Sequence, residues 1–174
     1  MTHRRFTGFS LIELLVTVSV LGILVALAAP SFQSLIRANR IANLTNDLVS
    51  GLNLARSEAI KRGTRVTLCK VADPNTNTPA CSTSANWQTG WQVFVDGSTA
   101  GTFDGTDTRI AVGQPSSNGS DASITPDAVF TNFISYDGRG ASNSSGNMVV
   151  CLGGLSRTIR ISATGRIQTT SGTC

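Results

Sequence analysis

A chain of 174 residues, 40% hydrophobic and 14% charged, is long enough to fill one core and too short for two. Its formal charge of +4 invites a nucleic-acid reading, yet from Thr64 onward Arg65, Lys70, Arg109, Arg139, Arg157, Arg160 and Arg166 are matched by seven aspartates and the net charge is zero. The excess lies in Arg4 and Arg5 and between Arg37 and Arg62, so global basicity argues little for a polyanion partner.

The single histidine is His3, which removes histidine triads and histidine-rich metal sites from the body of the chain. Cys69, Cys81, Cys151 and Cys174 lack C-x-x-C spacing. That disfavours zinc ribbons and thioredoxin-type chemistry and fits disulfides in an oxidising compartment.

The first predicted element is apolar. Residues 9–30 carry one charge, Glu13, and as a helix they span roughly 30 Å, the thickness of a bilayer's hydrocarbon. Arg4 and Arg5 ahead of it are expected to keep the N-terminus in the cytoplasm. An ordinary secretory signal fits less well, because the apolar run is long and continues into a helical pattern. Glu13 is the anomaly: an acid inside a bilayer costs about 2.5–3.5 kcal/mol on insertion scales and calls for a partner.

The stretch "TGFSLIELLVTVSVLGILVALAAP" resembles the class III signal of type IV pilins and type II secretion pseudopilins. The resemblance implies that a prepilin peptidase removes residues 1–8 by cutting after Gly8 and that the new N-terminal Phe9 is N-methylated. It further implies that Glu13 pairs with the Phe9 amine of an adjacent subunit. The cost of the acid in lipid then becomes a drive toward filament assembly and sets the axial register.

Past Pro30 the helix is expected to continue through residues 31–63 as an amphipathic element. Ile41, Leu44, Leu48, Leu52, Ala55 and Ala59 recur at three- and four-residue steps, and Gly63 reads as the stop. From Phe9 to Arg62 the helix would be roughly 80 Å long. Gly22 and Pro30 are its weak points, where family members lead one to expect bending or melting in a filament.

Residues 64–174 read as a β-rich domain. Strand-like runs occupy 64–71, 90–96, 108–113, 128–137, 147–154 and 157–165, separated by Gly-, Asn-, Asp- and Pro-rich breaks. "PNTNTPACSTSAN" and "GQPSSNGSDAS" read as exposed loops. The expected fold class is α+β: a long N-terminal helix whose second half packs on an antiparallel β domain. "WQTGWQVFVD", "FISYDGRGAS" and "ISATGRIQ" resemble the GspH/FimT branch of pseudopilins and minor pilins. They imply a pilin-like fold, a domain on the periplasmic side of the inner membrane, and pilins or pseudopilins as partners.

Four cysteines allow three pairings. Joining Cys69 to Cys81 and Cys151 to Cys174 closes the smallest loops at the lowest entropy cost and is the expected arrangement. Each bridge contributes about 2–4 kcal/mol.

No catalytic residue, metal site or cofactor is indicated. Asp104 and Asp107 in "FDGTD" lack the ordered oxygen ligands of a calcium loop and read as a hairpin turn. The serious alternative lies in the tail, where Arg157, Arg160 and Arg166 stand with no acid after Ser156. Such arginines can contact DNA phosphates without reading sequence. Some competence pilins of the FimT branch bind DNA through glycine, arginine, any residue, arginine. The matching positions here are Gly165, Arg166, Ile167 and Gln168, so the second arginine is a glutamine. Arg139 in "DGRGAS" reads as a loop residue.

Three roles follow from these readings. The first is a minor pilin-like subunit that helps initiate or cap a type IV pilus. The second is a type II secretion pseudopilin near the pseudopilus tip, and the third a DNA-binding minor pilin for natural transformation.

Overall fold

The computed structural model describes residues 9–113 and 122–174, with only the backbone of residues 28–31. Arg4, Arg5, the Gly8 cleavage position and most of the loop beginning at Gln114 lie outside the described residues. The chain divides into two units, Met1–Ile36 and Arg37–Cys174. A single helix, α1 (Leu11–Arg62), contributes to both.

In the second unit α1 lays Ile41, Leu44, Leu48, Leu52, Ala55 and Ala59 into the core, each no more than 4% exposed. This is the face predicted from the apolar spacing. Small residues at successive turns let the sheet approach: a Cβ on Gly51 would lie 2.7 Å from the Trp91 ring and 2.9 Å from Leu68. Gly63, at φ +64°, ends the helix as its left-handed cap.

The strands are β1 (Val66–Lys70), β2 (Trp91–Val95), β3 (Thr108–Gly113), β4 (Ala122–Pro126), β5 (Phe133–Tyr136), β6 (Gly146–Leu152), β7 (Leu155–Ile161) and β8 (Ile167–Thr173). They form two antiparallel four-stranded sheets, ordered β3-β2-β1-β5 and β4-β6-β7-β8.

The structure departs from the expected strands in three places. The run 128–137 is not one strand: Ala128–Phe130 form a 3-10 turn before β5. That turn buries Phe130, whose carbonyl accepts the Trp87 indole N–H at 3.1 Å. β4 begins inside the segment read as a loop, and β8 was not expected at all.

The two sheets are covered differently. On β1, β2 and β5 one face meets the main core through Val66, Leu68, Val93, Ile134 and Tyr136. The other face carries a second small core of Cys69, Val71 and Phe94, against which Cys81, Phe103 and Phe133 pack. A Cys69–Cys81 disulfide ties the covering loop down. Arg109 lies 4.9 Å from the centre of the Phe103 ring and donates to Gln92 Oε1 and to the carbonyls of Asn77 and Pro79.

Asp96, fully buried, accepts from Arg65, Thr67 and the Gly101 N–H, which fixes the start of the β2–β3 loop. Asp104 and Asp107 spend their carboxylates on that loop, on Thr106 and Ser98 and on the N–H groups of Gly97 and Asp104. Among the described residues no group of three or more His, Cys, Asp or Glu converges as a metal site.

Asp47, on α1, is half-buried against β2. It accepts the Trp91 indole N–H at 3.2 Å, and burial, its larger influence, raises its carboxyl above the ordinary value. A raised folded-state value means that the folded chain holds the proton more tightly than the unfolded chain. Stability is therefore lost as pH rises from about 4 through that raised value. Asp47→Asn keeps the acceptor and removes the charge. Its stability relative to wild type, read from urea midpoints, is expected to be greater at pH 7 than at pH 4.

Candidate functional site

Three groups of residues are candidates: the exposed apolar turns at the start of α1, the glycine-lined end where α1 stops, and the arginines of β7 and β8.

In the first unit every described side chain is exposed, from Phe9 at 79% to Ile36 at 46% among the large apolar ones. The best window of the helix has a mean hydropathy of 2.6 and no buried share. Among the described residues no large apolar side chain of this stretch is buried.

At the head of the stretch Ser10 and Glu13 satisfy each other. The Glu13 N–H donates to Ser10 Oγ at 3.3 Å, and the Ser10 N–H and hydroxyl donate to Glu13 Oε2 at 3.5 and 3.4 Å. This reciprocal pair is a capping box, which satisfies helix-end donors that lipid could not. Ser-x-x-Glu ahead of an apolar run is the sequence signature of this cap, a role of Ser10 not expected above. Glu13 thus already has a local partner in the single chain.

At the other end of α1 the motifs "DGRGAS" and "ISATGR" come together. Arg56 donates from Nε to the Gly140 carbonyl at 3.1 Å and from Nη2 to the Thr164 carbonyl at 3.2 Å. One arginine therefore ties the helix to both turns. A Cβ on Gly138 would lie 2.6 Å from the Gly63 backbone, and one on Gly165 would lie 2.0 Å from Gly140 O.

Beside this junction the Tyr136 hydroxyl is buried without a partner, and burial pushes its pKa well above the ordinary phenol range. Arg139 is engaged by its neighbour Asp137 at 3.0 Å. The N–H of Ala141, followed by the Arg139 guanidinium, holds the Asp137 carboxyl below its usual range.

The tail arginines do not form one patch. β7 and β8 pair in seven consecutive positions, Arg160 opposite Gln168 and Arg157 opposite Ser171. Arg157 lies on the face of β7 that carries Ile159 and Ile161, whereas Arg160 alternates to the opposite face and is exposed. The Gly165 N–H donates to Ser162 O at 2.8 Å and the Ser162 N–H to Arg166 O at 3.0 Å, with Gly165 at φ +76°: a tight turn closed by a glycine bulge. Regular pairing resumes with Ile161 opposite Ile167, and Arg166, opposite Ser162, falls on the side of Arg160. Cys151 and Cys174 are joined by a disulfide that ties the end of β8 to β6.

Residues 44–165 match the protein family described as Type II transport protein GspH. The chain belongs to the GspH family. Residues 3–29 match the prokaryotic N-terminal methylation motif. Two crystal structures of the type IV minor pilin FimU of Pseudomonas aeruginosa strain PAO1 share the fold.

In the P21 form the identity is 16% and the TM-score 0.59, over 76% of this chain and 90% of that chain. In the P65 form they are 17% and 0.54, over 74% and 91%. No curated protein matches the sequence. The GspH-family chain therefore has a pilin-type α+β fold and a prepilin-type N-terminal segment. It is anchored in the inner membrane and belongs to a structural family of filament subunits.

Proposed function

We propose that this chain is a minor subunit of a type IV pilus that helps initiate or cap the filament. Its residues 1–8 are removed after Gly8, Phe9 is N-methylated, and Glu13 pairs with the Phe9 amine of a neighbouring subunit. The observation that carries the reading is the combination, in one chain, of a methylation-type N-terminus and a GspH-type domain. The likeness of the fold to a minor pilin supports a pilus over a secretion machine. Deletion of the gene is expected to lower surface filaments at least tenfold, with recovery on return of the wild-type chain but not of Gly8→Ala. Intact pili together with loss of type II protein export would instead identify a pseudopilin.

A DNA-binding role has narrower support. Arg160 and Arg166 share a face, but Arg157 does not join them and Gln168 fills the fourth position of the tail motif. Two phosphate contacts on duplex DNA correspond to a slope of log affinity on log salt of only about −2.

A further inference from the structure

The two sheets have four edges, and three are blunted. On β5, Asn143 accepts the Ser135 N–H at 3.0 Å through Oδ1 and donates its own N–H to the Ser135 carbonyl at 2.9 Å, with a bridge from Tyr136 to Ser142 beside it. β4 contains Pro126, which has no N–H, and its Ile124 N–H is taken by Gln88 Oε1. β3 carries Arg109 and a register shift against Val93 and Phe94. These are the devices by which proteins stop a sheet from adding further strands.

β8 has none of them. It is seven residues long, Ile-Gln-Thr-Thr-Ser-Gly-Thr, with no proline, no charge and no register shift. Among the described residues nothing hydrogen-bonds its outer edge. From Gln168 onward it is exposed on both faces.

The charged side chains on and next to β7 and β8 are all arginines, with Asp127 set back in the cavity that Arg160 also lines. Arg166 precedes β8, Arg160 lies across from Gln168 on one face, and Arg157 lies across from Ser171 on the other. None of the three guanidiniums has a hydrogen-bond or ion-pair partner among the described residues, and no acidic side chain follows Ser156. The side chains of β8 are short beyond Gln168, so an arginine on β7 can extend over them toward a strand added roughly 5 Å further out.

We propose that the open edge of β8 takes on an extended, carboxylate-bearing strand from a neighbouring subunit. The inference rests on the filament reading above. Main-chain hydrogen bonds along β8 supply affinity, and the arginines on both faces select acidic side chains on the incoming strand. A second copy of this chain paired β8 to β8 would set the two arginine groups against each other.

The test uses the full-length chain in cells that assemble filaments. p-Benzoylphenylalanine is placed in turn at Gln168, Thr169, Thr170 and Ser171, with Ser123 on β4 as the control. In the filament fraction the four β8 positions are expected to cross-link to one other subunit, at sites that step residue by residue along an acid-bearing segment. Arg160→Glu/Arg166→Glu is expected to lower that yield at least fivefold, while Ser123 gives little. Filaments that contain the chain but show no β8 adducts would overturn the inference, as would adducts to DNA, to another copy's β8, or to a single non-stepping site. Absence of the chain from the filament fraction would overturn the filament reading and this inference with it.

Discussion

Glu13→Ala is expected to lower incorporation of the chain into filaments at least tenfold, while membrane insertion and leader removal proceed as in wild type. Alanine is easier to place in lipid than an acid by about 2.5–3.5 kcal/mol, so the variant inserts at least as well. In the proposed pairing the loss comes at docking: the Phe9 amine would then enter an apolar surrounding without a counter-charge, and an unpaired charge costs far more there than at a surface.

The Ser10–Glu13 cap adds a control. Ser10→Ala removes the hydroxyl from the cap but leaves the residue-10 N–H and the Glu13 charge, at a cost of about 1 kcal/mol in helix capping, and should reduce incorporation far less. The check is quantitation of each variant in sheared filaments from cells lacking the wild-type copy. Equal incorporation of Glu13→Ala and wild type would sink the pairing argument.

The second large effect belongs to Gly165. Its φ of +76° alone costs an alanine about 1–2 kcal/mol. The added Cβ would also meet Gly140 O at 2.0 Å and Arg56 Nε at 2.9 Å. The carbonyl is backbone and itself accepts from Arg56, so relief means opening the junction and losing those bonds. Gly165→Ala is therefore expected to cost about 3 kcal/mol or more, a fall in Tm of about 10 °C.

Gly154 is the matched control: its φ is +85° but nothing lies within 4 Å of an added Cβ. Gly154→Ala should show the backbone penalty alone, about 1–2 kcal/mol. The main apolar core lies wholly within residues 37–174, so thermal melts of the two variants compare the same cooperative unit. Equal Tm values would show that the close contact at Gly165 relaxes freely.

What could be read in the sequence follows from where apolar periodicity exists. α1 was legible because Ile41 through Ala59 repeat on one face and Gly63 stops them. β1, β2 and β6 were legible as β-branched runs. β8 was not, because its ordering owes nothing to burial: only Ile167 is partly covered, and the strand is held by β7 pairing and the Cys151–Cys174 bridge. β4 was hidden by its approach through a polar run and its terminal proline. The continuous run at 128–137 misled because Phe130 is buried from a 3-10 turn, which has no strand period to reveal it.

At the site, charge counting grouped Arg157 with Arg160 and Arg166; alternation along β7 separates Arg157, and only the β7–β8 register puts Arg166 with Arg160. The meeting of "DGRGAS" with "ISATGR" through Arg56 is a tertiary event between residues 84 and 108 positions apart, beyond any local pattern.

The Arg56 junction has a mechanical consequence. Arg37 lies beside Gly153 at the start of β7, and Arg56 binds the turn just past its end. Helix and strand therefore run side by side in the same direction through the domain. A pull applied to α1 from its Arg37 end acts along this seam, so Leu44, Leu48, Leu52, Ala55 and Ala59 resist together rather than opening one after another. The two Arg56 hydrogen bonds sit at the far end of the seam and share the load with the apolar contacts. Such a joint is stiff under tension along the helix and weak against a sideways peel, a distinction that would matter to the filament subunit proposed above if its filament bears load.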